Sequence, residues 1–187
     1  MDCMSAISQR RSVREYAAEP VGKDVLEKLL SAAVQAPSAM DEQPWHFTVV
    51  TSRPLLSRIS QKSKAYLLTE AAEGSQIDHV RQVLSDPNFD IFYGAPALLV
   101  ISAPKSGNWS IEDCALAAEN LMLAAYAMNL GSCWIGFAQA WLGTPEGHAA
   151  IELDDALLPV APIIIGHPSR VPPHEKRRPP KAHWIAR

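Results

Sequence analysis

The sequence, 187 residues long, predicts a single layered domain of α/β or α+β class. Three observations carry that reading. Leu26, Leu29, Leu30 and Ala33 recur at i, i+3, i+4 and i+7, so residues 23–35 present one apolar face at helical spacing. Ala97-Leu98-Leu99-Val100-Ile101 is an unbroken apolar run, the mark of a strand buried on both faces. The stretch from Ala117 to Ala127 is apolar nearly all round, as expected of a helix at the centre of a core.

The elements follow in order. Residues 2–9 predict a short helix that ends at the cluster Arg10-Arg11-Ser12-Val13-Arg14. The amphipathic helix from Lys23 must stop before Pro37, which disfavours helical geometry at Ala36 and has no N–H to donate. Phe47 to Thr51 is rich in β-formers and predicts a strand, and residues 54–85 predict two or three helical pieces. The central helix takes Ser110 as its N-cap, Glu112 and Asp113 in its first turn, and Gly131 as its stop. Cys133 to Phe137 and Val160 to Ile165 predict two further strands, with a short helix over 145–151 between them. Four strands interleaved with helices make the layered domain.

Composition narrows the function classes. Hydrophobic residues make up 48 % and charged residues 20 %, enough apolar surface to exclude global disorder. A net charge of −3 argues against a general nucleic-acid binder. Three cysteines without a C-x-x-C spacing exclude a disulfide scaffold and a cysteine-rich zinc site, and the six histidines lack H-x-x-x-H spacing. The N-terminal residues lack the apolar core of a secretion signal, and the apolar stretch 115–142 contains Glu119, Asn120, Asn129 and Gly131, so no membrane span is predicted. A cytoplasmic protein is the expectation. Of the 15 prolines, seven fall within residues 159–187, and residues 166–187 carry +5 against −8 for the rest.

Four constellations are candidates for chemistry. Arg10, Arg11 and Arg14 with Ser12 match the oxygens of a dianionic phosphate, because guanidinium forks pair with phosphate bidentately; the alternative is a solvated basic turn. The segment 36–45, Ala-Pro-Ser-Ala-Met-Asp-Glu-Gln-Pro-Trp, is a proline-pinned loop that turns Ser38 and backbone N–H groups outward, with the Gln43 amide suited to a heterocycle edge; the alternative is a plain helix-to-strand connection. Gly136 within Cys133-Trp134-Ile135-Gly136 admits close approach of a flat ligand or marks a bulge. The tail 172–180, with Lys176, Arg177 and Arg178, adds cations to the same anion or is a basic appendage that recruits an acidic or SH3-like partner. No P-loop, G-x-G-x-x-G, G-x-S-x-G or catalytic carboxylate pair is present; Asp154-Asp155 is a solvated turn. An enzyme built this way lets a cofactor carry the chemistry.

Taken together, these segments resemble the nitroreductase family of FMN-dependent oxidoreductases. The likeness runs through Arg10-Arg11-Ser12-Val13-Arg14, the 36–45 loop, Asn129-Leu130-Gly131, Cys133 to Gly136, Ile163 to Gly166 and Lys176-Arg177-Arg178-Pro179. It implies an α+β three-layer fold, with a central, mostly antiparallel or mixed sheet flanked by helices, in an intertwined homodimer with two FMN sites at the interface. Residues 1–187 would be one FMN-binding domain, with 167–187 as an extension packed on the dimer. Arg10, Arg11, Ser12 and Arg14 would hold the phosphate and ribityl end, joined by Lys176 and Arg178. Pro37, Ser38, Ala39, Met40 and Gln43 would come from the other subunit to line the ring, and Ile135 and Gly136 would present backbone near its N5. The implied activity is ping-pong hydride transfer from NAD(P)H to a nitroaromatic or quinone. Relatives that dehalogenate, fragment or store flavin are the neighbouring alternative.

The sequence departs from the family pattern in three places. Asp41 stands where Asn is common and has no amide to donate. Ile135 stands where Glu is common, so only its backbone contact carries over. For a pair of polar ring contacts that some members take from the middle helices, Gln61 and Lys64 are the nearest candidates.

Overall fold

The computed structural model describes residues 2–70, 75–173 and 176–186. Its elements are α1 (Cys3–Gln9), α2 (Lys23–Ala33), a 3₁₀ turn (Ala39–Asp41), β1 (His46–Val50), α3 (Arg53–Glu70), α4 (Ser75–Ser85), β2 (Ala97–Pro104), α5 (Ser110–Ala127), β3 (Gly131–Trp134), α6 (Gly136–Leu142), α7 (Pro145–Ala150) and β4 (Leu157–Gly166). The four strands form one sheet in the order β1-β2-β4-β3, and every pairing is antiparallel. That settles the class as α+β.

Alternation along the two central strands builds the layers. Leu99, Ile101, Ala103, Ile163 and Ile165 face α2 and α5, where they meet Leu26, Leu29, Ala33, Ala117, Leu121 and Ala125. Leu98, Val100 and Ile164 face the opposite layer, where Leu56, Ile59, Ala138, Trp141 and Leu142 of α3 and α6 cover them. Because β2 and β4 are covered on both faces, neither shows a polar alternation.

Three local expectations are corrected. Ser110 does not cap α5: the cap position is Trp109, and the Ser110 hydroxyl donates to the Pro104 carbonyl at 2.7 Å. The helix ends before Gly131, through Asn129 at φ 59, a left-handed position that Asn tolerates. Gly131 opens β3 instead, and a β-carbon there would meet the Val13 side chain at 2.8 Å. The strand expected over 133–137 covers 131–134, and residues 136–142 turn into helix α6.

Candidate functional site: a guanidinium pocket at the edge of the sheet

Asp2 caps α1 by accepting the Ser5 N–H at 3.0 Å, and the helix ends at Arg10, whose extended ψ of 138° releases the chain. The next residues run beside β3. Ser12 bridges Ser132 in parallel, and the Val13 N–H donates to the Ser132 carbonyl at 3.0 Å. Val13 is buried against Gly131, whose missing side chain permits this approach. Farther on, Tyr16 bridges Pro168, Ser169 donates to the Glu15 carbonyl, and Arg170 pairs with Glu15 at 3.5 Å. The segment is thus clamped between β3 and the start of the tail.

This clamp gathers Arg10, Arg11, Ser12 and Arg14 with Pro172, Pro173 and Arg177 around a pocket of about 210 Å³. Four guanidiniums converge there. Glu119 of α5 pairs with the Nε of Arg10 at 3.5 Å, although that buried Nε makes no hydrogen bond. One Arg11 nitrogen donates to the Ser8 and Arg10 carbonyls at 2.9 and 2.6 Å, so its charge is not cancelled by a carboxylate. Arg14 is exposed and lies over the ring of Tyr93, 5.9 Å from its centroid. Cys133 lies in the same neighbourhood; burial raises its thiol pKa, and the Arg14 charge opposes that rise.

Of the tail cations, Arg177 lines the pocket; Lys176 and Arg178, expected at the same anion, are exposed and are not among its lining residues. His174, Glu175 and Arg187 lie outside the described residues. Beyond β3, Ile135 is buried and its N–H donates to the Pro162 carbonyl at 2.8 Å. Gly136 is exposed, and a β-carbon built on it would meet nothing within 4 Å. Open space therefore adjoins the chain here.

Pro37, Ser38, Ala39, Met40 and Gln43 are not brought to this pocket within one chain. They precede β1, at the far edge of the sheet and level with Ser102, whereas Ser132 lies level with Ile165 and Ala97. The loop is well defined all the same. The buried Asp113 carboxylate accepts the Ala39 N–H at 3.0 Å, and Ser38 Oγ accepts the Gln43 N–H at 2.9 Å. Asp41 accepts from the Gln43 amide at 3.0 Å, so its carboxylate has a local partner.

Lys64 is buried, and its Nζ donates to the Asp86 and Phe89 carbonyls at 2.6 and 2.7 Å, which makes it a brace for the loop ahead of β2. Gln61 is exposed beside it and lines a second pocket with Lys64. Of the three tail cations the sequence offers, the structure brings Arg177 to the pocket, and sequence reasoning missed Tyr93 altogether. Nothing in the local sequence marks Tyr93 as a neighbour of Arg14.

Residues 7–167 match the model of the nitroreductase family. The chain belongs to that family. A nitroreductase relative from Methanothermobacter thermautotrophicus, named for NADH dehydrogenase/NAD(P)H nitroreductase activity, is 28 % identical over 177 residues, covering 92 % of this chain and 80 % of its own. A Bacillus subtilis protein named as an NAD(P)H nitroreductase is 30 % identical over 182 residues, covering 92 % of this chain and 88 % of its own. The crystal structure of a Bacteroides fragilis nitroreductase with bound FMN superposes with a TM-score of 0.87 at 25 % identity, with all of both chains covered. Among the described residues of this nitroreductase-family chain, no helix is long and apolar enough to cross a membrane, and no cluster of metal-ligating side chains occurs.

Proposed function

We propose that this chain is an FMN-dependent oxidoreductase that passes reducing equivalents from NADH or NADPH to a nitroaromatic, quinone or similar small acceptor. The observation that carries the reading is the convergence of Arg10, Arg11, Arg14 and Arg177 with Ser12 on one pocket. The guanidiniums of Arg10, Arg11 and Arg177 with the Ser12 hydroxyl form a donor set that suits a phosphate dianion, and Arg14 lines the same pocket. The open flank at Gly136 suits a flat ring that continues from that phosphate. When bound, FMN supplies the hydride chemistry that no side chain here offers.

The chain's own residues then have separable tasks. Arg10, Arg11, Ser12 and Arg177 hold the phosphate end, and Lys176 and Arg178 add a weaker, screened attraction. Arg14 places a cation beside the ring and favours an anionic reduced form. Gly136 leaves backbone open toward the ring without a side chain in the way, and the buried Ile135 anchors that turn through its N–H bond to the Pro162 carbonyl.

The unit that completes the site is a homodimer. The 37–43 loop of a second copy supplies the other wall, with Met40, 90 % exposed in the single chain, as its projecting side chain. Met4, Ile7, Ile111 and Leu116 are exposed on α1 and α5 and form the apolar surface such a partner covers. The basic extension 167–187, with Trp184 and Ile185 exposed, packs against that second copy.

The visible spectrum of the purified protein, followed by FMN titration of the apoprotein, tests the cofactor. NADH and NADPH oxidation with a nitroaromatic and with a quinone tests the activity. Flavin absorbance with acceptor-dependent nicotinamide oxidation is the expected result. Failure to bind added FMN overturns the reading.

A further inference from the structure

Tyr93 occupies the left-handed region at φ 54, followed by Gly94 at φ 71. A bulky aromatic residue rarely adopts that conformation, and it persists only where surrounding contacts over-determine it. Here they do. The Asp90 carboxylate accepts the N–H groups of Phe92 at 2.9 Å and Gly94 at 3.0 Å, and its carbonyl accepts the Tyr93 N–H at 2.9 Å. Arg53 reaches from α3 to the carbonyls of Gly94 at 2.7 Å and Ala95 at 3.3 Å. Phe89 meets the Tyr93 ring edge-on, with centroids 5.6 Å apart and planes at 80°.

All of this holds one ring under one guanidinium. Arg14 Cζ lies 5.9 Å from the Tyr93 centroid, and among the described residues no carboxylate pairs with Arg14. The choice of partner matters chemically. A carboxylate would orient the guanidinium but cancel its charge, whereas an aromatic face orients it and leaves the charge available to an incoming anion. Burial raises the Tyr93 phenol above its ordinary value of 10.0, so the hydroxyl stays neutral at physiological pH and adds no charge of its own.

We infer that Tyr93 is a positioning residue that aims the Arg14 guanidinium at bound flavin, and that the strained turn 90–94 exists to place its ring; the inference rests on the FMN reading above. The backbone strain, the Asp90 and Arg53 braces and the lack of a carboxylate on Arg14 then have one explanation.

A double-mutant cycle tests it. FMN affinity is measured by flavin fluorescence quenching on apoprotein for the wild type, Tyr93→Asn, Arg14→Ala and the double variant, with Tyr93→Phe as the ring-preserving control. Asn tolerates the left-handed backbone, so Tyr93→Asn removes the ring and keeps the turn. Thermal unfolding confirms that each apoprotein is folded. Tyr93→Asn is expected to weaken binding roughly three- to thirtyfold in the wild-type background and to change nothing further in the Arg14→Ala background. Tyr93→Phe keeps the ring face and loses only the hydroxyl's contact with Arg14, so it is expected to weaken binding less than Tyr93→Asn does. Equal losses from Tyr93→Asn in both backgrounds, or no loss in either, overturn the inference while the FMN reading stands. An Arg14→Ala protein that binds FMN as tightly as wild type instead removes the placement of Arg14, and the inference falls with it.

Discussion

The carboxylate of Asp113 accepts the backbone N–H of Ala39 at 3.0 Å, tying the first turn of the central helix to a loop 74 residues away in sequence. That loop holds Met40, Asp41 and Gln43 at φ 53, 57 and 48, three non-glycine residues in the left-handed region within four positions. The tie from Asp113 and the internal bond from Gln43 to Ser38 are what hold it there.

Asp113→Ala removes the tie and strands the Ala39 N–H. A hydrogen bond to a charged group contributes about 1.5–3 kcal/mol, which for a chain of this size lowers Tm by roughly 3–12 °C. Asp113→Asn keeps an acceptor and loses less. In the holoenzyme the Ala variant is also expected to raise KM for the acceptor, if the loosened loop lines the ring of the second copy as proposed. Thermal unfolding and steady-state kinetics check the two effects.

Gly131, which opens β3, and Gly136, which opens α6, respond in opposite ways. Gly131→Ala drives a β-carbon into Val13 and costs about 1–3 kcal/mol by overpacking, displacing the segment that carries Arg14. A β-carbon at Gly136 meets no protein atom within 4 Å, so Gly136→Ala leaves stability within about 0.5 kcal/mol and Gly136→Val adds its branch on the same open side. It nevertheless weakens FMN binding, because the side chain enters the space assigned to the ring. Denaturant unfolding of the apoproteins, set beside FMN titration, separates the two.

The tail cations are ranked by position. Arg177→Ala weakens FMN binding about tenfold, whereas Lys176→Ala and Arg178→Ala, outside the pocket, change it severalfold less. All three effects shrink as ionic strength rises. Titrations at low and high salt decide the order.

Alkaline stability is set in part by Cys114, which lies fully buried in α5, where burial pushes its thiol from the ordinary 9.0 up to about 12. Between those values the unfolded chain releases a proton that the folded chain keeps, so the contribution is complete below pH 9 and is lost as pH rises through about 12. Cys114→Ala lowers stability at neutral pH through the small cavity it leaves, yet its Tm falls less steeply from pH 9 upward. A matching slope in both proteins would remove Cys114 as a source of the pH dependence.

Much of the molecule was legible in the linear sequence. The period of Leu26, Leu29, Leu30 and Ala33 and the unbroken run at 97–101 placed α2 and β2, because side-chain burial imposes its period on the chain. Arg10, Arg11, Ser12 and Arg14 stood together within five residues, so their chemistry needed no fold to be noticed. What stayed hidden depended on pairing at long range. The strand order and the uniformly antiparallel pairing, which the family resemblance left as mostly antiparallel or mixed, the assignment of Gly131 to a strand and the choice of Arg177 over its neighbours all follow from which backbones lie side by side. Tyr93 shows the limit most clearly: it is 79 positions from Arg14, and the two meet because α3 and the turn after α4 pack on one face of the sheet. Local chemistry and periodicity are properties of neighbouring residues; the meeting of distant charges and rings is a property of the packed core alone.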